Sequence, residues 1–406
     1  MVPEKRKSQG LQGSCLQRLD LLNEVDLNQI RNDNLIVESA PLLRAIEIIE
    51  QTSCGLAIVI DSDGRFLSLL TDSALRKAVL DGANFSDPLS SVVRTQGAGL
   101  EFRLIGGLKS VVQFHDFGLE VVLDCAGRVI ELKELRKITS PNENYSIVLM
   151  LGGDGKRLRP LTCNCPKPLL EVGGKPLLER TIERLVAQGF CQLFFSVNYR
   201  AEMIKEYFGD GSKWGAEIQY LHEEEMMGTA GSLRLLKSRP TDSLVVMNGD
   251  LLVGLKFKHL IEYHKTYRAH GTMSVVRYEI TIPYGVVETE SERLVSIKEK
   301  PKRLSYVNAG IYVLEPDTLD LIPDYGSFDM PSLFEALLVQ KYKTCVFPLR
   351  EEWIDIGSIE ALNEARKRFS VQPDLVALPD MDFSITDDQS TNFGRIVPQI
   401  FGPHMS

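Results

Sequence analysis

No stretch of this 406-residue chain approaches the ~20 consecutive apolar residues that a membrane helix requires, so a spanning protein is not expected. A basic stripe is missing as well. Against 46 Lys and Arg stand 55 Asp and Glu, a formal charge of −9, whereas a general nucleic-acid surface would carry the opposite sign. Cysteine is sparse and unorganised: seven are scattered through the chain, an odd number with no disulfide framework. Cys163 and Cys165 form a lone C-x-C with no second pair to complete a zinc site, and they read as loop residues of a reducing, cytoplasmic protein. The opening MVPEKRKSQG has no apolar core behind its basic residues and does not read as a signal peptide. His259, His264 and His270 fall on one expected helix without sharing a face, which predicts solvated side chains, not metal ligands.

What is present is ordinary globular composition, 44% apolar and 25% charged, over a length that suggests two domains. Residues 1–20 read as a lead-in. From there to residue 140, a helix over Ala40–Ile49 precedes strands Leu56–Ile60 and Phe66–Leu70 around an Asp61-Ser-Asp-Gly64 turn, then a helix from Asp72 to Leu80. A weaker copy of the hairpin lies at Val121–Leu123 and Ile130–Leu132 around Gly127, after an interval with no convincing helix. Ser140–Asn144 reads as a linker. Beyond it, strands and helices alternate regularly up to about residue 370, which predicts a parallel α/β sheet. Residues 371–406 read as a tail.

The chain is organised around Ile147–Pro168, IVLMLGGDGKRLRPLTCNCPKP. A short apolar run predicts a buried strand, and Gly152, Gly153 and Gly155 after it allow a tight turn that offers bare N–H groups to a phosphate chain. Arg157 follows, and Lys167 sits between two prolines that stiffen its loop. Three glycines alone would also fit an ordinary strand-to-helix turn. The segment is not a Walker loop, having no G-K-[ST], nor a dinucleotide fingerprint, whose glycine spacing differs. Farther on, Asp250 ends the apolar run Leu244–Gly249 and Asp355 lies in Trp353-Ile-Asp-Ile-Gly357, two carboxylates at strand ends where α/β folds bind ligands.

The full pattern G-G-x-G-x-R-L-x-P-L-T-x(3)-P-K-P resembles the signature of the sugar-1-phosphate nucleotidyltransferases. That resemblance implies an α/β fold with a Rossmann-like (GT-A-like) mixed sheet flanked by helices over residues 145–370. It also implies transfer of a nucleotidyl group from a nucleoside triphosphate to a sugar 1-phosphate, with release of pyrophosphate and with Mg²⁺ as cofactor. By the same resemblance Arg157, Lys167 and Asp250 are catalytic, and Asp250 and Asp355 hold the metal. The nucleotide falls to Leu151, Gly152, Gly153, Gly155 and Lys156 with Glu223, Gly228 and Thr229, and the sugar phosphate to Gly285, Glu299, Lys300 and Asn308. The G-T-A-G segment at Gly228–Gly231 is similar to that of guanylyltransferases, and a helix beginning after Gly228 is expected to leave amides free for an anion or a base edge.

Two departures stand out: Leu151 occupies a position that is usually small, and Asp154 places an acid where phosphate oxygens approach. Residues 21–140 resemble a pair of cystathionine-β-synthase-type (CBS) repeats, the second degenerate. Members with that architecture resemble the glucosamine-1-phosphate guanylyltransferases of legionaminic acid synthesis. A homo-oligomer, dimer or tetramer, is expected. The competing readings are a uridylyl- or other nucleotidyltransferase acting on a different sugar 1-phosphate, and a catalytically silent nucleotide-sugar sensor.

Overall fold

An Asp–Gly pair between two apolar runs predicts a hairpin, and the computed structural model of the chain forms it. It describes residues 34–52, 55–93, 101–105, 109–114, 119–134 and 145–371. The expected lead-in, the linker and all but the first residue of the expected tail lie outside them. The chain divides into two units, one up to Thr139 and one from Ser140 onward.

In the amino-terminal unit, β1 (Leu35–Val37) runs parallel to β2 (Leu56–Ile60), which pairs antiparallel with β3 (Phe66–Thr71). Helices α1 (Leu42–Gln51) and α2 (Asp72–Leu80) cover one face of this sheet through Leu42, Ile49 and Leu75, and α3 (Ser90–Val93) is a short turn beside them. Thr71 caps α2 by accepting the Ala74 amide at 3.2 Å. The second half is a four-stranded antiparallel meander: β4 (Glu101–Ile105), β5 (Lys109–Phe114), β6 (Leu119–Leu123) and β7 (Val129–Glu134).

The two Asp–Gly turns of this unit are built alike. Asp61 Oδ1 accepts the amides of Asp63 and Arg65 at 2.9 and 2.8 Å, and Asp124 Oδ1 accepts those of Ala126 and Arg128 at the same two distances. The turns also join each other, with the Phe66 amide donating to the Gly127 carbonyl at 2.9 Å. The weaker copy is therefore a real second hairpin. Where a helix would complete it, the described residues of the preceding interval form β4 and β5 instead.

In the second unit, β8 (Ile147–Met150) is buried on both faces. Ile147 and Leu149 enter one core with Leu178, Ile182, Phe195 and Phe257, while Val148 enters another with Val246, Tyr312 and Leu333. That is why the strand reads as an unbroken apolar run. A two-residue hairpin, β9 (Glu171–Val172) and β10 (Lys175–Pro176), leads into α4 (Leu177–Ala187), which Gly189 ends with φ +90°. Then come β11 (Gln192–Val197), α5 (Ala201–Phe208), β12 (Glu217–His222), β13 (Leu244–Asn248), β14 (Leu251–Val253) and α6 (Phe257–Thr266). The order continues with β15 (Gly271–Thr281), β16 (Val286–Glu290), β17 (Arg293–Lys298) and β18 (Lys302–Leu314). It closes with α7 (Met330–Val339), β19 (Thr344–Pro348), β20 (Trp353–Asp355) and α8 (Ile359–Val371).

Seven strands form one sheet in the order β12-β11-β8-β13-β18-β15-β19. Only β18 runs against its neighbours, so the sheet is mixed and not wholly parallel as the alternation of strands and helices suggests. No helix among the described residues is long and apolar enough to cross a membrane.

His264 corrects the expectation of three solvated histidines. It is 1% exposed, its Nδ1 2.7 Å from Thr272 Oγ1 and its Nε2 2.9 Å from Glu315 Oε1. Burial holds its pKa below the ordinary 6.5, and the Glu315 carboxylate offsets part of that shift. A depressed histidine pKa means that the unfolded chain takes up the proton first as pH falls, so native stability is lost on acidification through this window. Between about pH 7.5 and about pH 5, the parent protein is expected to lose more of its urea midpoint than His264→Gln does. Equal losses would remove His264 from the acid response.

Candidate active site

Beyond β8 the chain turns sharply. Gly155 has φ +62°, and a side chain there would strike Thr162, whose Cγ2 lies 2.8 Å from the place of a Cβ. Thr162 Oγ1 donates to the Gly155 carbonyl at 2.8 Å, and the Tyr199 hydroxyl donates to the Thr162 carbonyl at 3.0 Å, which closes the loop on itself. Among the described residues the amides of Gly152, Gly153, Asp154 and Gly155 have no hydrogen-bond partner. Successive bare amides on a tight turn form an anion-binding concavity. Arg157 projects from the following 3₁₀ turn, exposed and without an ion-pair partner among the described residues.

Both departures in this loop have local counterparts. Leu151 is buried, and its side chain fills the space beside Gly249, where any Cβ would also stand 2.9 Å from the Met150 carbonyl. Asp154 is turned toward Lys156, with Nζ–Oδ2 at 3.1 Å and the Lys156 amide donating to Oδ1 at 3.3 Å. The acid is thus neutralised by the cation two residues along. Lys156 is thereby tied to Asp154 while most of its side chain stays exposed.

The two carboxylates meet because β14 pairs antiparallel with β20, setting Leu251 opposite Asp355, while the Ile356 amide donates to the Asp250 carbonyl at 3.0 Å. Lys167 Nζ is ion-paired with Asp250 Oδ2. Asp355 Oδ1 is buried without a hydrogen-bond partner. Burial pushes the Asp355 pKa up and the Asp250 charge pushes it further, against the pull of Lys167 and Arg157. An orphaned carboxylate oxygen beside a second carboxylate fits a hard divalent cation. Among the described residues no cluster of three or more potential metal ligands occurs.

The guanylyl-type segment differs from expectation. In place of a helix after Gly228 there is a short 3₁₀ turn, Gly231–Leu235. Its amides are not free: Thr229 N donates to Asp329 Oδ1 at 2.9 Å, and Ala230 N and Gly231 N donate to the Phe328 carbonyl at 2.9 and 2.8 Å. Gly228 has φ +80°, and a Cβ there would stand 2.7 Å from the Phe328 carbonyl oxygen. Glu223 is 8% exposed, with Oε1 accepting from Ser196 and Oε2 from the Met227 amide at 3.0 Å. A Cβ on Gly152 would lie 2.9 Å from that Oε1, so Glu223 sits directly behind the glycine loop.

On the sugar side, Glu299 Oε2 lies 3.0 Å from where a Cβ on Gly285 would be, and the Lys300 amide donates to the Tyr284 carbonyl at 3.2 Å. Gly285, Glu299 and Lys300 are therefore brought together. Asn308 is held differently. Its side-chain amide donates to the Tyr312 hydroxyl at 2.7 Å and accepts the Gly310 amide at 2.9 Å, so both ends are engaged within β18. Gly310 abuts Asn248, whose Nδ2 would be 2.6 Å from a Cβ, and Trp353 Nε1 donates to the Ala309 carbonyl at 2.9 Å. These contacts tie the β18 end of the sugar-side residues to the strands bearing Asp250 and Asp355. Ser196 and Asp329 escaped the sequence reading because nothing local distinguishes them, while Thr162 and Trp353 stood inside the motifs that were read without being given a part of their own.

The family model for nucleotidyl transferases matches residues 146–371. The chain belongs to this family. The mannose-1-phosphate guanylyltransferase catalytic subunit beta of Drosophila pseudoobscura pseudoobscura is 36% identical over 226 residues, covering 54% of this chain and 61% of that protein. The mannose-1-phosphate guanylyltransferase of Mycobacterium tuberculosis is 34% identical over 219 residues, covering 52% and 61%. The chain thus spans about three fifths of the length of these curated relatives. Among solved structures, HddC from Yersinia pseudotuberculosis complexed with GMP-PN aligns with 55% of this chain and 99% of its own, at 26% identity and a TM-score of 0.42. The span matched by the family model, residues 146–371, includes Gly152–Gly155, Asp250, Asp355 and Gly285–Asn308.

The raised pKa of Asp355 has a sign that can be checked. The folded protein keeps this proton to a higher pH than the unfolded chain, whose Asp titrates near 3.8, so ionised Asp355 weakens the native state above that value. In metal-free buffer, Asp355→Asn is expected to have a higher urea midpoint than the parent at about pH 8, with the gap closing as pH falls toward about 4. A lower midpoint at alkaline pH would show that Asp355 is not strained by its surroundings.

Proposed function

We propose that the protein transfers GMP from GTP to a sugar 1-phosphate, releasing pyrophosphate. The reading is carried by the bare amides of Gly152–Gly155 and the unpaired Arg157 leading into a loop whose Lys167 reaches the Asp250–Asp355 pair. The chemistry asks for little else. A sugar-phosphate oxygen is already an ionised nucleophile. It attacks the α-phosphorus, a P–O bond forms to the sugar phosphate, and the bond to the β-phosphate breaks as pyrophosphate leaves.

The glycine amides cradle the phosphate chain and Arg157 meets the leaving pyrophosphate, where charge builds. Lys167, freed from Asp250, neutralises the α-phosphate. Glu299 binds sugar hydroxyls and Lys300 the sugar phosphate, with the two polyanions held in line for attack. Asp250 and Asp355 would hold Mg²⁺, which when bound neutralises phosphate charge. Residues 145–370 form the catalytic domain in this reading. Guanine is favoured by the Gly228–Gly231 segment and by the names of the relatives. For the sugar, those names point to mannose 1-phosphate, whereas the amino-terminal architecture points to glucosamine 1-phosphate.

Pyrophosphate release would be measured for GTP, UTP, CTP and dTTP against a panel of sugar 1-phosphates. GTP is expected to give the highest kcat/KM, and UTP as the best substrate would overturn guanylyl transfer. Asp250→Asn and Asp355→Asn are each expected to lower turnover by about 100-fold or more while the protein stays folded. Near-parental turnover at saturating Mg²⁺ would remove that carboxylate from the site.

We also propose that residues 21–140 act as a CBS-type module with a degenerate second repeat, serving self-association and not adenylate sensing. Paired CBS repeats commonly hold a ribose with a Thr or Ser at the end of the second strand and an Asp three residues on. Here Ala74 occupies that second position, Thr71 already caps α2, and Asp72 lies buried with Arg76 Nε at 2.6 Å from its Oδ2. Each hydroxyl bond left unmade costs roughly 1–3 kcal/mol, about tenfold or more in affinity. Calorimetry of the intact protein is expected to show no micromolar AMP binding, and sedimentation a dimer or tetramer. Micromolar binding, or a monomer, would overturn this role.

A further inference from the structure

We propose that Asp329 is a positioning residue for nucleotide selection, holding Gly228–Gly231 in the shape that meets the base; the inference rests on the guanylyltransferase reading above. Asp329 stands at the amino-terminal cap of α7, where a carboxylate ordinarily accepts amides of its own helix. It makes no such bond. Pro331, in the first turn, offers no N–H, and Asp329 Oδ1 instead reaches back along the chain to accept the Thr229 amide at 2.9 Å and the Thr229 hydroxyl at 3.3 Å. Thr229 returns the contact, its Oγ1 accepting the Met330 amide at 2.9 Å. Each residue caps the other's segment.

The neighbouring backbone extends this clasp. The Phe328 carbonyl accepts the amides of Ala230 and Gly231, and the Phe328 amide donates to the Met227 carbonyl at 2.8 Å. Arg234 Nη2 donates to the Gly326 carbonyl at 2.7 Å. The other end of the same turn is fixed by Glu223, whose carboxylate takes the Met227 amide behind Gly152. The Gly228–Gly231 segment is therefore anchored at one end to Glu223 behind the glycine loop and at the other to residues 326–330. Its conformation follows from the second anchor, since Gly228 lies so close to Phe328 and Asp329 that only glycine fits. Asp329 acts through Thr229 and needs no contact with the nucleotide.

The test is steady-state kinetics of the full chain with GTP and with UTP, alongside calorimetric binding of each nucleotide without sugar phosphate. Asp329→Ala is expected to raise the KM and the Kd for GTP about tenfold, the worth of one well-made hydrogen bond, and to narrow the GTP/UTP ratio of kcat/KM. The KM for the sugar 1-phosphate should move less than about twofold, because nothing on that side changes. Asp329→Asn keeps an acceptor at Oδ1 and should restore GTP selection to within about threefold of the parent. If Asp329→Ala lowers Tm but leaves the GTP/UTP ratio unchanged, the residue is only a structural cap and the proposal fails. Failure of Asp329→Asn to restore selection, at a Tm equal to the parent's, would overturn it too. A parent protein that releases no pyrophosphate from any nucleotide overturns the guanylyltransferase reading and this inference together; an active parent with an indifferent Asp329→Ala overturns this inference alone.

Discussion

Antiparallel pairing of β14 with β20 forces two carboxylates into a place where little water reaches, and the surrounding structure answers that repulsion. Asp250 is offset by Lys167, which the flanking prolines deliver to it. Asp355 has no such partner: one of its oxygens is buried with no donor, and the positive charges acting on it, Lys167 and Arg157, do not undo the effect of burial. An uncompensated acid at this point is costly unless something binds there. The residues nearest to it come from the phosphate loop, from the end of the β8–β13 pair and from the stretch before α8. A single divalent charge would therefore draw on three separate parts of the domain.

The resting Lys167–Asp250 pair bears on how the site would respond to substrate. In the proposed function, a lysine bound to the carboxylate that would hold the metal is not available to a phosphate, and the carboxylate would not be fully available to the metal. In the proposed reaction Asp250 would be released to hold a cation as Lys167 is released to a phosphate, so the two exchanges would relieve each other. Either alone must break the ion pair at its own cost. Both groups are mostly buried, at 12% and 27% side-chain exposure, so solvent does little to ease that exchange.

How much of this was legible in the sequence depends on the range of the interactions. β8, α4 and β11 could be read because each carries its own apolar period, and the Gly–Arg–Lys loop because its residues sit within one short segment. The amides of residues 229–231 read as free because the groups that claim them lie about a hundred positions farther on, at Phe328 and Asp329. The same limit hid the β14–β20 pairing, which no local pattern announces. The β16–β17 hairpin and the outer half of β18 were missed for another reason. Their residues are exposed on both faces, so no alternation marks them as strands. His264 has the spacing of a solvated helix residue and is buried all the same, because Thr272 and Glu315 approach it from other elements.

The departures from the family pattern bear on whether this is a working transferase or a silent descendant that senses nucleotide sugars. A fold released from catalysis would be expected to collect changes with no local answer. Here each departure has one. The bulk of Leu151 is met by Gly249, where any side chain would collide with it and with the Met150 carbonyl. The charge of Asp154 is met by Lys156, which leaves Arg157 without an ion-pair partner among the described residues, its Nη1 3.5 Å from where a Cβ on Gly357 would stand and its charge acting on Asp355. A sensor would also have no reason to keep two carboxylates pressed together at a cost to its own stability, since binding a nucleotide sugar needs cations and donors, not a second buried acid. In the proposed function the buried, unpartnered oxygen of Asp355 would gain a partner only when substrate and cation arrive. That argues for chemistry at this site and not for recognition alone.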